Sequence, residues 1–318
     1  MTKDLASYAQ RFTKLRIDKA SKDPAPHKPV LLLATIELIA QGKITRNQIY
    51  LSPELIAAFL KYWSNLVSTD HRSDISLPFF HLRSERFWHF VPNPGYEATI
   101  ANRVKLRGLK AVRTAIKFAY LDDELFALLQ DATARDYLMR ILIQQWFPEK
   151  SQEVEQLAQT DEFEIIQLRL FERGGAVYSI NDLNDEEMTI VRSGAFRRNI
   201  VSLYEQRCAF CRLRIVTIDS ETIVDGAHIK PFSEFRDDRF ENGLALCKNH
   251  HWAFDHGWFS ISDDYRILIP CDRITEEPPE NAKTMQEFHN ESIFLPQRET
   301  YYPSLEALHW HRNFWDIA

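Results

Sequence analysis

The chain has 318 residues, 45% hydrophobic and 26% charged, a composition that excludes disordered, collagen-like and disulfide-scaffold classes and suits two domains better than one. Its most apolar run, Val30 to Ala40, is interrupted by Thr35 and Glu37 and falls far short of the ~20 residues that cross a bilayer. The N-terminus, MTKDLASYAQRF, has no secretory signal pattern, so a cytoplasmic protein without membrane contact is expected.

The net charge of -6 hides an asymmetry. Residues 1–150 hold 22 Lys/Arg against 15 Asp/Glu, whereas residues 151–318 hold 17 against 30. The basic half can follow a phosphate backbone; the acidic half needs metal ions or a local basic patch to approach one.

In chain order, PAPHKP at 24–29 is a stiff extended lead, and Pro29 suits the first residue of a helix that runs through Ala40 and ends at Gly42. Ser52 is the expected N-cap of a second helix, with Leu55, Ile56, Phe59, Leu60 and Trp63 on one face. Leu77 to Val91 places two aromatic-rich runs around RSER and predicts a hairpin. Apolar residues at three- and four-residue intervals predict helices over 108–119 and 122–146, the second stopped near Pro148. Residues 149–163 are acidic and lack an apolar stripe, which suggests a linker or an exposed linking helix. The domains are accordingly expected at 1–150 and 187–318 with a linker over 151–186, and residues 187–207 should form a helix leading to the first cysteine.

The cysteines lie at 208, 211, 247 and 271, all in the acidic half. In a cytoplasmic chain this usage points to metal rather than disulfides. Cys208 and Cys211 form one knuckle, CAFC, and Cys247 with His250 a second, CKNH. Together they supply the four tetrahedral ligands of a closed structural zinc site. Cys271 has no spaced partner and reads as a packed residue.

Around these knuckles stand Asp225, His228, Asn242 and His251, in VDGAHIKP, ENGLALC and KNHHWAFDHG. The set suits phosphodiester hydrolysis, in which a neutral imidazole takes a proton from water while a divalent ion offsets the phosphate charge. Asn242 would orient the base or contact the metal.

This arrangement resembles the HNH endonuclease family, whose ββα-metal fold wraps one metal between a hairpin and a helix. The likeness spans about residues 187–318, from GAFRRNIVSLYEQRCAFC to YYPSLEALHWHRNFW. It implies that His228 is the general base, that Asn242 is the middle motif residue and that His251 binds a catalytic ion, Mg or Mn. Ala227 stands where many members have a metal-binding Asp or His, so Asp225 or the later Asp255 would be the carboxylate. The zinc set matches one branch of the family, with His250 where a fourth cysteine is more usual.

Residues 5–148 resemble the sulfur-binding domain that precedes HNH domains in restriction enzymes acting on phosphorothioate-modified DNA. The likeness rests on HKPVLLLATI, LPFFHL and ANRVKLRGLK. It implies that His27 and Lys28 contact the DNA backbone near the modified linkage, that Leu77, Pro78 and His81 line the sulfur pocket, and that Arg103 binds phosphate or a base edge. Lys28 and Leu77 depart from the arginine and tyrosine of the best-known members.

The expected protein is therefore an α+β restriction endonuclease. A mixed helical and hairpin domain reads double-stranded, phosphorothioated DNA, and a ββα-metal domain with structural zinc cuts it; a homodimer is left open. The alternatives are an HNH nuclease whose reader recognises a modified base, and a non-catalytic zinc protein that binds DNA.

Overall fold

The computed structural model describes residues 4–17, 25–102, 104–218, 221–270, 272–277, 280 and 283–317. Arg103 and Cys271 lie outside the described residues. The chain forms two compact units, residues 1–165 with 185–191 and residues 166–184 with 192–318. Among the described residues no helix is long and apolar enough to cross a membrane.

The first unit begins with α1 (Leu5–Thr13) and α2 (His27–Ala40). In α2 Val30, Leu31, Leu33 and Ala34 are fully buried and even Glu37 is 2% exposed, as expected of a helix that is apolar all round. α3 (Pro53–Leu66) lies against it and starts as its sequence predicts, with Ser52 Oγ accepting from the Leu55 N–H at 3.3 Å. The buried Glu37 is tolerated because Lys61 of α3 reaches it at 2.6 Å. The same ammonium donates to the carbonyls of Leu157 and Thr160, both at 2.7 Å. Burial raises the Glu37 carboxyl above its ordinary range and Lys61 draws it back.

The predicted hairpin over Leu77 to Val91 is not formed. Ser76–His81 is a short helix, α4, followed by a 3-10 turn at Leu82–Glu85 that ends on Arg86 with φ 61°. Asp74 accepts from the Ser76 N–H at 2.9 Å, and Pro78 sits in the first turn, where its missing N–H costs nothing. Only the second aromatic run becomes a strand, β1 (Trp88–Pro92). After α5 (Glu97–Ala101) and α6 (Leu109–Ala115) comes its partner, β2 (Ile116–Leu121). The pairing is antiparallel, with Trp88 opposite Leu121 and Phe90 opposite Ala119. The helix predicted over 108–119 therefore ends at Ala115. The unit continues through α7 (Asp123–Gln130), α8 (Ala132–Trp146) and α9 (Ser151–Leu157) into α10 (Glu162–Glu172). Within the stretch expected to be a linker, Val154 and Phe163 are buried.

The second unit takes in the end of α11 (Glu186–Leu203), then β3 (Val224–His228), α12 (Phe232–Phe235), β4 (Gly243–Cys247) and α13 (Lys248–Asp255). β5 (Ser260–Ile261) pairs β6 (Ile267–Leu268), and α14 (Leu305–Trp315) ends the chain. β3 and β4 are antiparallel, with Val224 opposite Cys247 and His228 opposite Gly243, and α13 begins at once after β4. This is the ββα order. Residues of α11 lie directly on the hairpin because Gly226 and Gly243 leave room. A Cβ at Gly226 would stand 2.9 Å from Arg197 Cα, and one at Gly243 would stand 2.4 Å from Ile200 Cδ1. The architecture is α+β, with helices dominating both units and the small hairpin carrying the chemistry.

Candidate nuclease site and DNA-reading surface

The four zinc-type ligands converge. Cys208 and Cys211 come from the turn after α11, Cys247 ends β4 and His250 lies in the first turn of α13. One donor atom from each falls within 4.8 Å of the other three. His250 Nδ1 faces Cys247 Sγ at 3.1 Å and Cys208 Sγ at 3.6 Å, near the ~3.5 Å edge of a tetrahedron built on Zn–S of about 2.3 Å and Zn–N of about 2.0 Å. The turn is tied to the hairpin by the Ala209 N–H on the Ala245 carbonyl at 2.7 Å, and Phe210 stacks on His250 at 4.1 Å. Hydrogen bonds from Cys208 and Cys211 hold the Cys247 thiol far below its ordinary range, whereas bonding to Cys211 and Cys247, with burial, drives Cys208 up. His250 is lowered by burial but lifted further by those thiols, to about 9. Three thiols and an imidazole converging at this spacing are the donor set that a tetrahedral, thiolate-preferring divalent cation fits.

On the hairpin, the His228 ring stacks on Phe196 of α11 with centroids 4.1 Å apart and planes 4° apart. Its Nε2 lies 2.8 Å from Oδ1 of Asp238, a carboxylate in a residue only 1% exposed. Burial raises the Asp238 carboxyl and the His228 bond lowers it again. Asp238 went unrecognised in the sequence, where it is one of two adjacent acids in RDD. Asn242, 1% exposed, accepts from the Lys230 N–H at 2.9 Å and donates to the carbonyls of Lys230 and Asp237 at 3.2 and 2.9 Å. Its amide thus staples the loop that delivers Asp238.

Asp225 alternates with His228 along β3 and shares a strand face with Ala227, one pleat further on. A carboxylate at 225 therefore points to the side where position 227 would have placed one. Its Oδ2 lies 3.9 Å from His251 Nδ1, 3.1 Å from Lys248 Nζ and 3.6 Å from Arg197 Nη1. His251 Nε2 in turn lies 3.5 Å from Asp255 Oδ2. Burial raises the Asp255 carboxyl, and the charges of His251, His256 and His228 oppose it. The two alternative carboxylates thus flank His251 on different ring nitrogens, Asp225 beside Nδ1 and Asp255 beside Nε2, so only one of them could share an ion with this imidazole. Lys248 and Arg197, with 65% and 52% of their side chains exposed, form the local basic patch that the acidic half needs.

The reading surface differs more from expectation. Lys28 is not free to meet phosphate, because it is 7% exposed and its ammonium donates to the Arg16 carbonyl at 2.6 Å, Ser84 Oγ at 2.9 Å and Glu85 Oε1 at 2.5 Å. All three of its N–H bonds are spent inside the fold. His27 turns elsewhere, its ring tilted 45° against Trp63 with centroids 4.4 Å apart and Nε2 3.0 Å from the Arg72 carbonyl, and burial lowers its pKa. Pro78 is buried in α4, whereas Leu77 is 41% exposed and His81 lies at the surface. Partial burial and then the charges of Lys28, Arg83 and Lys105 lower the His81 pKa. That positive surrounding suits an anion. Arg83, over the Phe80 ring at 4.0 Å, and Lys105 were not singled out in the sequence, where RSER read as the turn of a hairpin and Arg103 was chosen from ANRVKLRGLK.

Comparison with known proteins agrees with both halves. Residues 208–262 match the family model described as HNH endonuclease, and residues 5–158 match that described as ScoMcrA-like, DNA sulfur-binding domain. Among solved structures the chain is similar to a "Modification dependent TagI restriction endonuclease", with 26% identity over 39% of this chain and 38% of that one, at a TM-score of 0.29. The chain thus spans less than half the length of that protein. No curated protein matched. By its two domain matches, the chain carries a ScoMcrA-like DNA sulfur-binding domain followed by an HNH endonuclease domain.

Proposed function

We propose that the protein is a restriction endonuclease that recognises phosphorothioate-modified double-stranded DNA through its first unit and hydrolyses the backbone at the β3–β4–α13 site. The observation that carries this reading is His228, held at the end of β3 with Nε2 engaged by Asp238 and the other ring nitrogen left to take a proton. His228 Nδ1 accepts a proton from water as its oxygen bonds to phosphorus, and one phosphorus–oxygen bond to the sugar breaks. His251, with Asp225 on its Nδ1 side or Asp255 on its Nε2 side, would hold Mg or Mn, which when bound would offset charge on the phosphate and the leaving oxygen. Lys248 and Arg197 draw the phosphate in. Cys208, Cys211, Cys247 and His250 hold zinc in a closed site that supports folding and offers substrate no position. Leu77 and His81, beside Arg83 and Lys105, form the reading face. Sulfur is larger and a poorer hydrogen-bond acceptor than oxygen, so an exposed leucine among cations meets both its polarisable surface and its charge.

The test is cleavage by the full chain, with Mg or Mn, of three matched duplexes bearing phosphorothioate, methylcytosine or no modification, with His228→Ala as the control. Cutting confined to the phosphorothioated duplex and lost in His228→Ala is expected. Cutting of the methylcytosine duplex alone would turn the reader to a modified base, and no metal-dependent cutting of any duplex would leave a binding protein.

A further inference from the structure

We propose that Asp238 is the positioning residue of the nuclease site, fixing His228 as the tautomer that carries its proton on Nε2 and leaves Nδ1 as the base. This rests on the nuclease reading above. Neutral imidazole has two tautomers, and only the one with a lone pair towards water can act; the bond made by the other nitrogen selects it. Asp238 Oδ1, at 2.8 Å, can only accept when ionised, so it demands the proton on Nε2.

Three features hold the pair. Phe196 stacks on one face of the His228 ring and Phe232 lies 5.5 Å from it, so the imidazole cannot easily swing away. Asp238 is fixed through its backbone, its N–H donating to the Ala176 carbonyl at 2.8 Å, while the Phe240 N–H donates to Gly174 at 3.1 Å and the Tyr178 N–H to Arg236 at 2.9 Å. Residues 174–178 thus clamp the loop on one side, and the Asn242 amide staples it on the other. Finally, the neighbouring acid is occupied elsewhere, since Asp237 is bound by Arg239 Nη2 at 2.7 Å and Nε at 3.0 Å. Only Asp238 of the two faces the imidazole. As His228 gains a proton the buried carboxylate becomes the counter-charge of an imidazolium, an interaction that strengthens during the reaction and hence speeds it.

The experiment compares the full-length parent with Asp238→Ala and Asp238→Asn. Cleavage kinetics on the duplex that the parent cuts are read together with ¹⁵N spectra of the histidine rings, with His228 identified by its loss in His228→Ala. The parent should show the proton on Nε2. Asp238→Ala should lower kcat by about 10²-fold, with KM within threefold, and shift the His228 ring signals towards the mixed tautomers of a free imidazole. Asp238→Asn, which keeps an acceptor but loses the charge, should fall between, and it serves as the test variant should the alanine fail to fold. A folded variant with parental kcat, or a loss confined to KM, would overturn the assignment, as would a parent ring protonated on Nδ1. If the parent cuts no duplex, the nuclease reading fails, whereas the ring spectra still decide the tautomer.

Discussion

Gly175 offers the sharpest perturbation of the nuclease site without touching a side chain in it. Its φ is +100°, and a Cβ there would stand 2.2 Å from the Asp238 carbonyl oxygen and 2.4 Å from Arg239 Cα. Ordinary contact begins at 3.4 Å, so Gly175→Ala must push the clamp and the Asp238 loop apart by about 1.2 Å. If half of that reaches the carboxylate, the 2.8 Å bond to His228 stretches to about 3.4 Å; if all of it does, the bond is gone. Displacements of about 1 Å in a positioned catalytic group cost about 10²-fold in rate, and the strained backbone costs about 1–3 kcal/mol of stability. Gly174→Ala is the matched control, because φ is +69° there but a Cβ would meet nothing within 4 Å. Both variants should melt lower than the parent, and only Gly175→Ala should lose kcat on the cleaved duplex at unchanged DNA affinity. Equal kcat losses in the two variants, or parental kcat in Gly175→Ala, would refute the argument that the clamp sets the position of Asp238.

Other consequences are open to direct measurement. Cys211→Ala should lower the metal content determined by mass spectrometry and destabilise the second unit, and a strong chelator should do the same to the parent, because the four ligands converge in one set. Lys61→Ala should cost about 3–5 kcal/mol in chemical unfolding, because it strands Glu37 in a core where both side chains are 2% exposed. Lys61→Ala with Glu37→Leu should recover much of that loss.

What the sequence disclosed depended on whether a signal was local. α3 was legible because Ser52 and an apolar face determine a helix within its own span, whereas α2 was found through Ala40 but begins at His27, two residues before the start that Pro29 suggested. Ile116–Leu121 was not legible, since Leu109, Val112, Ile116 and Ala119 fit helical spacing as well as a turn of helix followed by a strand. Pairing with Trp88–Pro92, far back in the chain, settled the choice. The same distinction runs through the site. The Cys208, Cys211, Cys247 and His250 set is defined by spacing, and so was found. Asp238 is chosen over Asp237 only by where residues 174–178 meet the loop, and no local pattern encodes that. Lys28 shows the converse error: the resemblance to sulfur-binding domains made it a DNA-backbone contact, but Glu85 and two other acceptors, brought to it by the fold, claim its charge.

Two buried groups outside the site give the units opposite responses to pH. In the second unit His311, 2% exposed, lies between Ser260 Oγ at 2.8 Å and the Phe254 carbonyl at 3.1 Å, its ring stacked on Phe254 at 3.8 Å. Burial first, partly opposed by the Phe254 bond, lowers its pKa from 6.5 to about 4. The folded state therefore prefers neutral His311, and this stability is present above pH 6.5 and lost as pH falls towards 4. In the first unit Glu187, 6% exposed, accepts from the Ile75 N–H at 2.5 Å, while burial raises its pKa from 4.5 to about 7. Here the folded state prefers the protonated carboxyl, so stability is present below pH 4.5 and lost as pH rises through 7. Each shift corresponds to about 3 kcal/mol at full effect. Thermal melts of the parent against His311→Gln and Glu187→Gln, taken from pH 4 to 8, isolate the two, because metal release in acid affects all three proteins alike. The parent's advantage over His311→Gln should shrink as the pH falls, whereas Glu187→Gln should gain on the parent as the pH rises. Parallel curves for either pair would mean that the group is solvated in the folded chain and that its burial is not what holds it in its unusual state.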